Sequence, residues 1–373
     1  MKKLLALLLA AMMVMALCAC GSSVDQATVD EIQTTLDSIE AKLDADTAPA
    51  EEAAEPAEEA EAPAADEAAA YEVEDGVVYN IGICQLMQHD ALDAATQGFE
   101  DALVDLLGEE HVNFDLQNAQ GDSTTCSTIV TGFVANNVDL ILANATPALQ
   151  AAVAATSDIP IMGTSVTDYA TALDDENLDP NAGTGINVSG TSDGVSAQLY
   201  ADMVMELVPD AQNVSMVYCS AEANSVVQCD QFKEAIESTY GVTCTAYTFA
   251  DSNDMQAVIT SAIEGADALY IPTDNTAASN MTIVANVCEP AGIPVICGEE
   301  NMTSLGGLAT VSITYYDIGY LCGEMAAEVL AGGADISTMP IGYSAVAVKE
   351  YNPDFADAIG FEVPDDYAAI VTE

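Results

Sequence analysis

The chain has 373 residues, with 61 Asp+Glu against five Lys+Arg and a formal net charge of −56. Binding to a phosphate backbone depends on Lys and Arg displacing counterions, so nucleic acid is excluded as a partner, and a basic membrane-surface role with it. Hydrophobic residues make up 50% of the chain and charged ones only 18%, a balance that calls for a packed core, and the length suits two or more domains.

At the start, Lys2 and Lys3 precede an apolar run from Leu4 to Leu17, the pattern of a secretory signal and too short for a spanning helix. The run ends Leu17-Cys18-Ala19-Cys20-Gly21, which resembles the lipobox of bacterial lipoproteins. That resemblance implies a signal peptide over 1–19, lipidation of Cys20 and anchorage on the extracytoplasmic face of the cell membrane. An ordinary signal with stray cysteines is the alternative. Next, Ile32, Leu36, Ile39 and Leu43 form one stripe of a short helix. From Thr47 to about Asp75 the chain is Ala/Glu/Pro repeats, a self-repelling extended linker. Residues 20–76 are thus expected to be anchor and linker, holding a folded body away from the membrane.

The body alternates apolar strand-like runs with helical patterns. The runs are Val78 to Leu86, Leu140 to Ala143, Pro160 to Gly163, Val214 to Cys219, Ala268 to Ile271 and Pro294 to Cys297. Helical patterns cover Ala91 to Leu107, Ser192 to Val208 and Asn224 to Thr239. The alternation predicts parallel sheets with crossover helices. Three segments recur about 130 residues apart: Asn80 to Cys84 in Asn213 to Val217, Val138 to Ala148 in Ala266 to Asn275, and Asp158 to Thr164 in Gly292 to Gly298. The body therefore reads as two similar α/β lobes. Its eight cysteines form no CxxC pair and no zinc-like cluster with His89 or His111, so no metal or cofactor is expected. Buried thiols are preferred to a disulfide framework because Cys84, Cys219 and Cys297 sit inside apolar runs.

Open α/β sheets carry their ligands at the carboxyl ends of the strands. On the first lobe that rim comprises Gln85, Gln88, His89 and Asp90, then Asn144 and Thr146, then Thr164, Ser165 and Thr167. On the second it comprises Ser220, Glu222, Asn224 and Ser225, then Thr273, Asp274 and Asn275, then Glu299 and Glu300. Helix N-capping is the competing role for Thr146, Ser220, Asn224 and Asn275. Asp139 and Asp267 precede strands and read as turn residues. Tyr315 and Tyr316 either line the cleft or pack a helix start.

The runs Gln88 to Asp93, Gln117 to Asp122, Ala145 to Ala148, Ser165 to Asp168, Ser220 to Ser225, Pro272 to Asn275 and Gly298 to Glu300 resemble, in order, those of ABC-transporter substrate-binding lipoproteins that include tryptophan- and tyrosine-binding members. The resemblance implies a type I periplasmic-binding-protein fold: two Rossmann-like (flavodoxin-like) lobes joined by a three-strand hinge. The lobes would comprise 77–188 with 310–333, and 189–309 with 334–373. It also implies a small-molecule solute, ABC permease and ATPase partners, and a monomer. This second lobe is poorer in lysine and arginine than is usual for that family, so the face that meets the partner is left open.

Composition bears on the solute independently. The chain has no arginine, and Lys233 and Lys349 lie off the rims, so no cationic clamp exists for a strongly anionic ligand. Helix N-termini with Ser and Thr hydroxyls can hold one carboxylate, and Asp274 or a glutamate one ammonium. An α-amino acid needs that pair, and an aromatic one agrees with the resemblance. The expected binding set is Gln85, His89, Asn144, Thr146, Thr164, Ser165, Thr167, Ser220, Asn224, Ser225, Thr273, Asp274, Asn275 and Glu299. Alternatives are a sugar or nucleoside receptor of the same fold, or a ligand sensor feeding a signalling partner. A hydrolase built on Glu299 and Glu300 is disfavoured, because neighbours in a strand point to opposite faces.

Overall fold

The computed structural model describes residues 71–344 and 348–371. The signal segment, Cys20, the Ile32 to Leu43 stripe and the Ala/Glu/Pro linker up to residue 70 lie outside the described residues. Among the described residues no helix is long and apolar enough to cross a membrane.

Among the described residues thirteen strands form two sheets. In the first, β1 (Tyr79–Gln85), β2 (Val112–Asn118), β3 (Leu140–Asn144), β4 (Ile161–Thr164), β5 (Val188–Ser192) and the late β11 (Gly342–Tyr343) lie in the order β11-β5-β4-β3-β1-β2. The second contains β6 (Asn213–Cys219), β7 (Thr243–Phe249), β8 (Ala268–Ile271), β9 (Val295–Cys297), β10 (Ala309–Ser312), β12 (Val348–Tyr351) and β13 (Ala368–Ala369), ordered β13-β12-β10-β9-β8-β6-β7. The first five strands of each lobe thus share the 2-1-3-4-5 winding of flavodoxin-like sheets. All pairings are parallel except β10 with β12.

All six apolar runs read from the sequence became strands. The duplication extends to one side-chain device: Asp139 Oδ2 accepts the Asn80 N–H at 2.7 Å and Asp267 Oδ2 accepts the Asn213 N–H at 2.9 Å. Each aspartate pins the start of the neighbouring strand at the end remote from the rims.

The helices, in order, are α1 (Asp90–Leu107), α2 (Ser123–Asn136), α3 (Thr146–Ala155), α4 (Tyr169–Ala172), α5 (Ala197–Leu207), α6 (Ala223–Tyr240), α7 (Ser252–Ala262), α8 (Asn275–Ala278), α9 (Met281–Ala291), α10 (Glu300–Gly306), α11 (Tyr315–Leu330) and α12 (Pro353–Ile359). The second lobe has one continuous core reaching from Tyr200 on α5 to Phe355 on α12. The first lobe has a cluster on each face of its sheet, around Phe133 and around Phe99. All eight described cysteines are free and buried within these cores. Burial pushes the Cys288 and Cys322 thiols up to about 12.

The chain passes between sheets three times: from β5 to α5, from β10 to α11, and from β11 to β12. The strand pairings set the lobe limits differently from the sequence expectation. β5 extends the first sheet to Ser192, β10 keeps 309–312 in the second, and β11 returns part of the 334–373 span to the first.

After the second crossing α11 packs along α1 at a distance only glycine permits. A Cβ on Gly98 would overlap the Tyr316 carbonyl oxygen, and one on Gly319 the Ala95 carbonyl oxygen. Gly319→Ala is therefore expected to lower stability by about 1–3 kcal/mol through overpacking. Gly132→Ala, on α2 where a new Cβ meets nothing within 4 Å, is expected to be neutral or mildly stabilising. Denaturant unfolding of the two variants beside the parent checks both.

Candidate functional site

The carboxyl ends of both sheets converge on a narrow cavity between the lobes. It is lined by His89, Leu92, Ser165, Thr167, Asp193, Asn224, Thr273, Asp274, Asn275, Ala278, Glu299, Met302 and Tyr315. On the first lobe the rim carries backbone strain: Ser165, just after β4, has φ 54°, and Ala145, just after β3, has φ 88°. Non-glycine residues hold such angles only where the surroundings over-determine them, and binding sites are where they cluster.

The lining includes His89, Ser165, Thr167, Asn224, Thr273, Asp274, Asn275 and Glu299 from the expected set. The other six stand behind it or beside it. Gln85 Nε2 donates to Asp93 Oδ1 at 2.6 Å and its Oε1 accepts from Thr96 Oγ1 at 2.7 Å. Asn144 Nδ2 donates to the Leu92 carbonyl at 2.8 Å. Both therefore brace the start of α1, which carries His89 and Leu92 into the cavity. Thr164 Oγ1 meets Thr191 Oγ1 at 3.0 Å inside the sheet, and Ser220 Oγ donates to the Phe249 carbonyl at 3.2 Å. Thr146 and Ser225 are buried in the first turns of α3 and α6.

Leu92, Asp193, Ala278, Met302 and Tyr315 line the cavity without having been in the expected set, although a cleft role for Tyr315 was one of two readings of its position. Asp193 is the most consequential. It follows β5, whose sequence Val-Ser-Gly-Thr-Ser has too little apolar content to read as a strand, although all five residues are buried. The hydroxyls are satisfied locally: Ser189 Oγ donates to the Met339 carbonyl and Thr191 Oγ1 to that of Ile318.

The acids of the cavity differ in how fully they are hydrogen-bonded. Glu299 is not in a strand, as the sequence reading had it, but N-caps α10, accepting the Asn301 N–H at 2.7 Å and the Met302 N–H at 2.6 Å. Glu300 is the first residue of that helix, and its N–H donates to Ser312 Oγ. Asp274 N-caps α8: Oδ1 accepts from Ala277 N at 2.8 Å and Oδ2 from Cys219 N at 2.7 Å. Glu222 accepts four bonds from the backbone N–H groups and side chains of Asn275 and Thr276. Asp193 accepts one bond, from the Tyr315 hydroxyl to Oδ2 at 2.8 Å, and its buried Oδ1 has no partner.

Three further buried lining atoms have no partner: Asn224 Oδ1, His89 Nδ1 and Ser165 Oγ. Asn224 Oδ1 can only accept, since its Nδ2 donates to the Thr273 carbonyl. No cation lines the cavity; Lys233 and Lys349, the lysines among the described residues, pair with Glu237 and with Glu206 and Asp366 on the surface. Among the described residues no three His, Cys, Asp or Glu side chains are arranged to hold a metal ion. The two rims already touch, His89 Nε2 lying 3.2 Å from Asn275 Oδ1 across the cleft.

Burial pushes the Glu299 carboxyl up to about 7, against the pull of its two amide partners. It raises Asp193 despite the Tyr315 hydroxyl, and raises Asp274, with the Glu222 charge adding to the effect. A carboxyl with a higher pKa folded than unfolded binds its proton more tightly in the native state. Its contribution favours folding at low pH and fades as pH rises from about 4 through the folded value. The denaturation midpoint is therefore expected to fall between pH 5.5 and pH 8, and Glu299→Gln to flatten that dependence. Urea titrations at the two pH values check it.

The family described as ABC transporter substrate binding protein matches residues 80–346. A tyrosine-binding protein of Clostridioides difficile (strain R20291) is 38% identical over 276 residues, covering 73% of this chain and 79% of the relative. The structure of an ABC domain from Streptococcus pneumonia in complex with L-Trp superposes with a TM-score of 0.72 at 29% identity, covering 78% of this chain and 100% of the other. A ligand-free, open substrate-binding protein with adhesive properties from Clostridium difficile gives a TM-score of 0.61 at 38% identity, covering 79% and 100%. With the family match spanning most of the body and two lobes of one winding closing on a polar cavity, the chain belongs to the ABC transporter substrate-binding protein family.

Proposed function

We propose that this chain is the extracytoplasmic receptor of an ABC importer, that it closes on an aromatic amino acid of the tyrosine or tryptophan kind, and that it hands this solute to the permease. The observation that carries the reading is Asp193 Oδ1, a buried carboxylate oxygen facing a cavity that holds no cation and giving it no internal partner. An ammonium supplies the missing charge and N–H groups, and Asn224 Oδ1 is a second acceptor for it. The ligand's carboxylate has Ser165 and Thr167 and the first turn of α11, which has no side-chain cap bond. Leu92, Ala278, Met302 and the Tyr315 ring supply apolar contact for a side chain. Tyrosine and L-Trp, the ligands named for two of the relatives, agree with this chemistry.

In this reading the solute favours the closed state because it contacts both rims, and the permease responds to that state. The protein performs no covalent chemistry and works as a monomer. Cleavage before Cys20 and lipidation of that residue fix it to the outer face of the membrane, with the acidic linker as spacer.

Thermal-shift measurements on residues 20–373 with amino acids, sugars and nucleosides test the assignment. Tyrosine and tryptophan are expected to raise the midpoint; a rise with sugars or nucleosides alone refutes it. Asp193→Asn keeps an acceptor for Tyr315 but loses the charge. It is expected to weaken amino-acid binding about 10- to 100-fold by calorimetry with an unchanged circular dichroism spectrum.

A further inference from the structure

We propose that His89 is the specificity-determining residue of the cleft, its Nδ1 accepting a hydrogen bond from a donor on the solute's ring, so that phenol and indole side chains are selected over phenyl. This inference rests on the amino-acid reading above and extends it to the far end of the ligand.

A chain of hydrogen bonds fixes the histidine tautomer. Glu222 Oε2 accepts the backbone N–H of Asn275 at 2.9 Å and lies 2.8 Å from the Asn275 side-chain amide. That amide must turn its nitrogen to the carboxylate, because the opposite orientation sets oxygen against oxygen. Asn275 Oδ1 then faces His89 Nε2, 3.2 Å away, and can only accept, so Nε2 carries the proton. Burial lowers the His89 pKa, which keeps the ring neutral. A neutral ring with its proton on Nε2 has a bare lone pair on Nδ1, and this atom is buried without a partner in the lining of the cavity.

This acceptor and the one that takes the ammonium reach the cavity from different elements, His89 at the start of α1 and Asp193 after β5. Asp193 stands at the first crossing between the lobes, bonded to Tyr315 at the second. His89 stands on the lip, beside the contact of Ser279 Oγ with Met87 Sδ that also joins the rims. In this proposal a zwitterion with its ammonium on Asp193 places its side chain against His89, which lines the same cavity. A ring lacking a donor leaves Nδ1 desolvated and unpaired, a defect that lowers affinity about 10- to 100-fold.

Calorimetry with L-tyrosine, L-tryptophan and L-phenylalanine on residues 20–373, parent and His89→Phe, tests the assignment. The parent is expected to bind tyrosine and tryptophan at least about 10-fold more tightly than phenylalanine, and His89→Phe to bring the ratio near one. Equal affinities in the parent, or a preference that survives His89→Phe, overturn the role of His89 while leaving the amino-acid reading intact. Failure of all three ligands to bind overturns that reading instead. Should His89→Phe not fold, ¹⁵N NMR of the parent decides, since the only histidines are His89 and His111. An Nε2–H tautomer at His89 whose Nδ1 resonance moves with tyrosine and not with phenylalanine supports the proposal. An Nδ1–H tautomer, or a resonance indifferent to tyrosine, overturns it.

Discussion

With no arginine in the chain and both described lysines paired on the surface, a carboxylate buried in the cleft has to be satisfied by N–H and O–H groups. The cleft is organised around that constraint. Asp274 and Glu299 cap the helices they begin, and Glu222 reaches from the start of α6 to the first amides of α8, so all three draw on backbone N–H groups that a helix leaves without internal acceptors. Their positions are therefore fixed by secondary structure before any solute arrives. Asp193 alone among these acids has an oxygen that the protein does not bond, which makes it the point at which a ligand completes the structure.

The division of labour between lobes follows. The second lobe and the first crossing supply the acids; the first lobe supplies a neutral histidine and hydroxyls. The lobes share their winding and the Asp139 and Asp267 devices at the far ends of their sheets, so their difference is concentrated where the solute binds.

Strands with continuous apolar runs were legible because burial on both faces writes itself directly into composition. β5 and β10 were not, since Ser and Thr occupy fully buried positions there. The edge strands β2 and β7, with their exposed polar positions, left no apolar run either. Missing β5 is what hid Asp193. The rims themselves were legible from the carboxyl-end rule, but that rule does not say which side chains face the cavity. Gln85 and Asn144 end their strands as expected and then turn back to brace α1. Asp274 stood out as an acid on a polar rim, yet its oxygens serve two amides that no residue spacing reveals.

The glycine-mediated contact between α1 and α11 has a mechanical consequence. α1 begins beside His89 at the lip of the cleft and α11 begins at Tyr315 by the crossings, so the two ends of the cavity belong to helices with no slack between them. A side chain at Gly98 or Gly319 would act as a spacer and let them slide. Without one, the backbones lie in direct contact, and the lip and the crossings are held at a fixed spacing by two helices rather than by side chains.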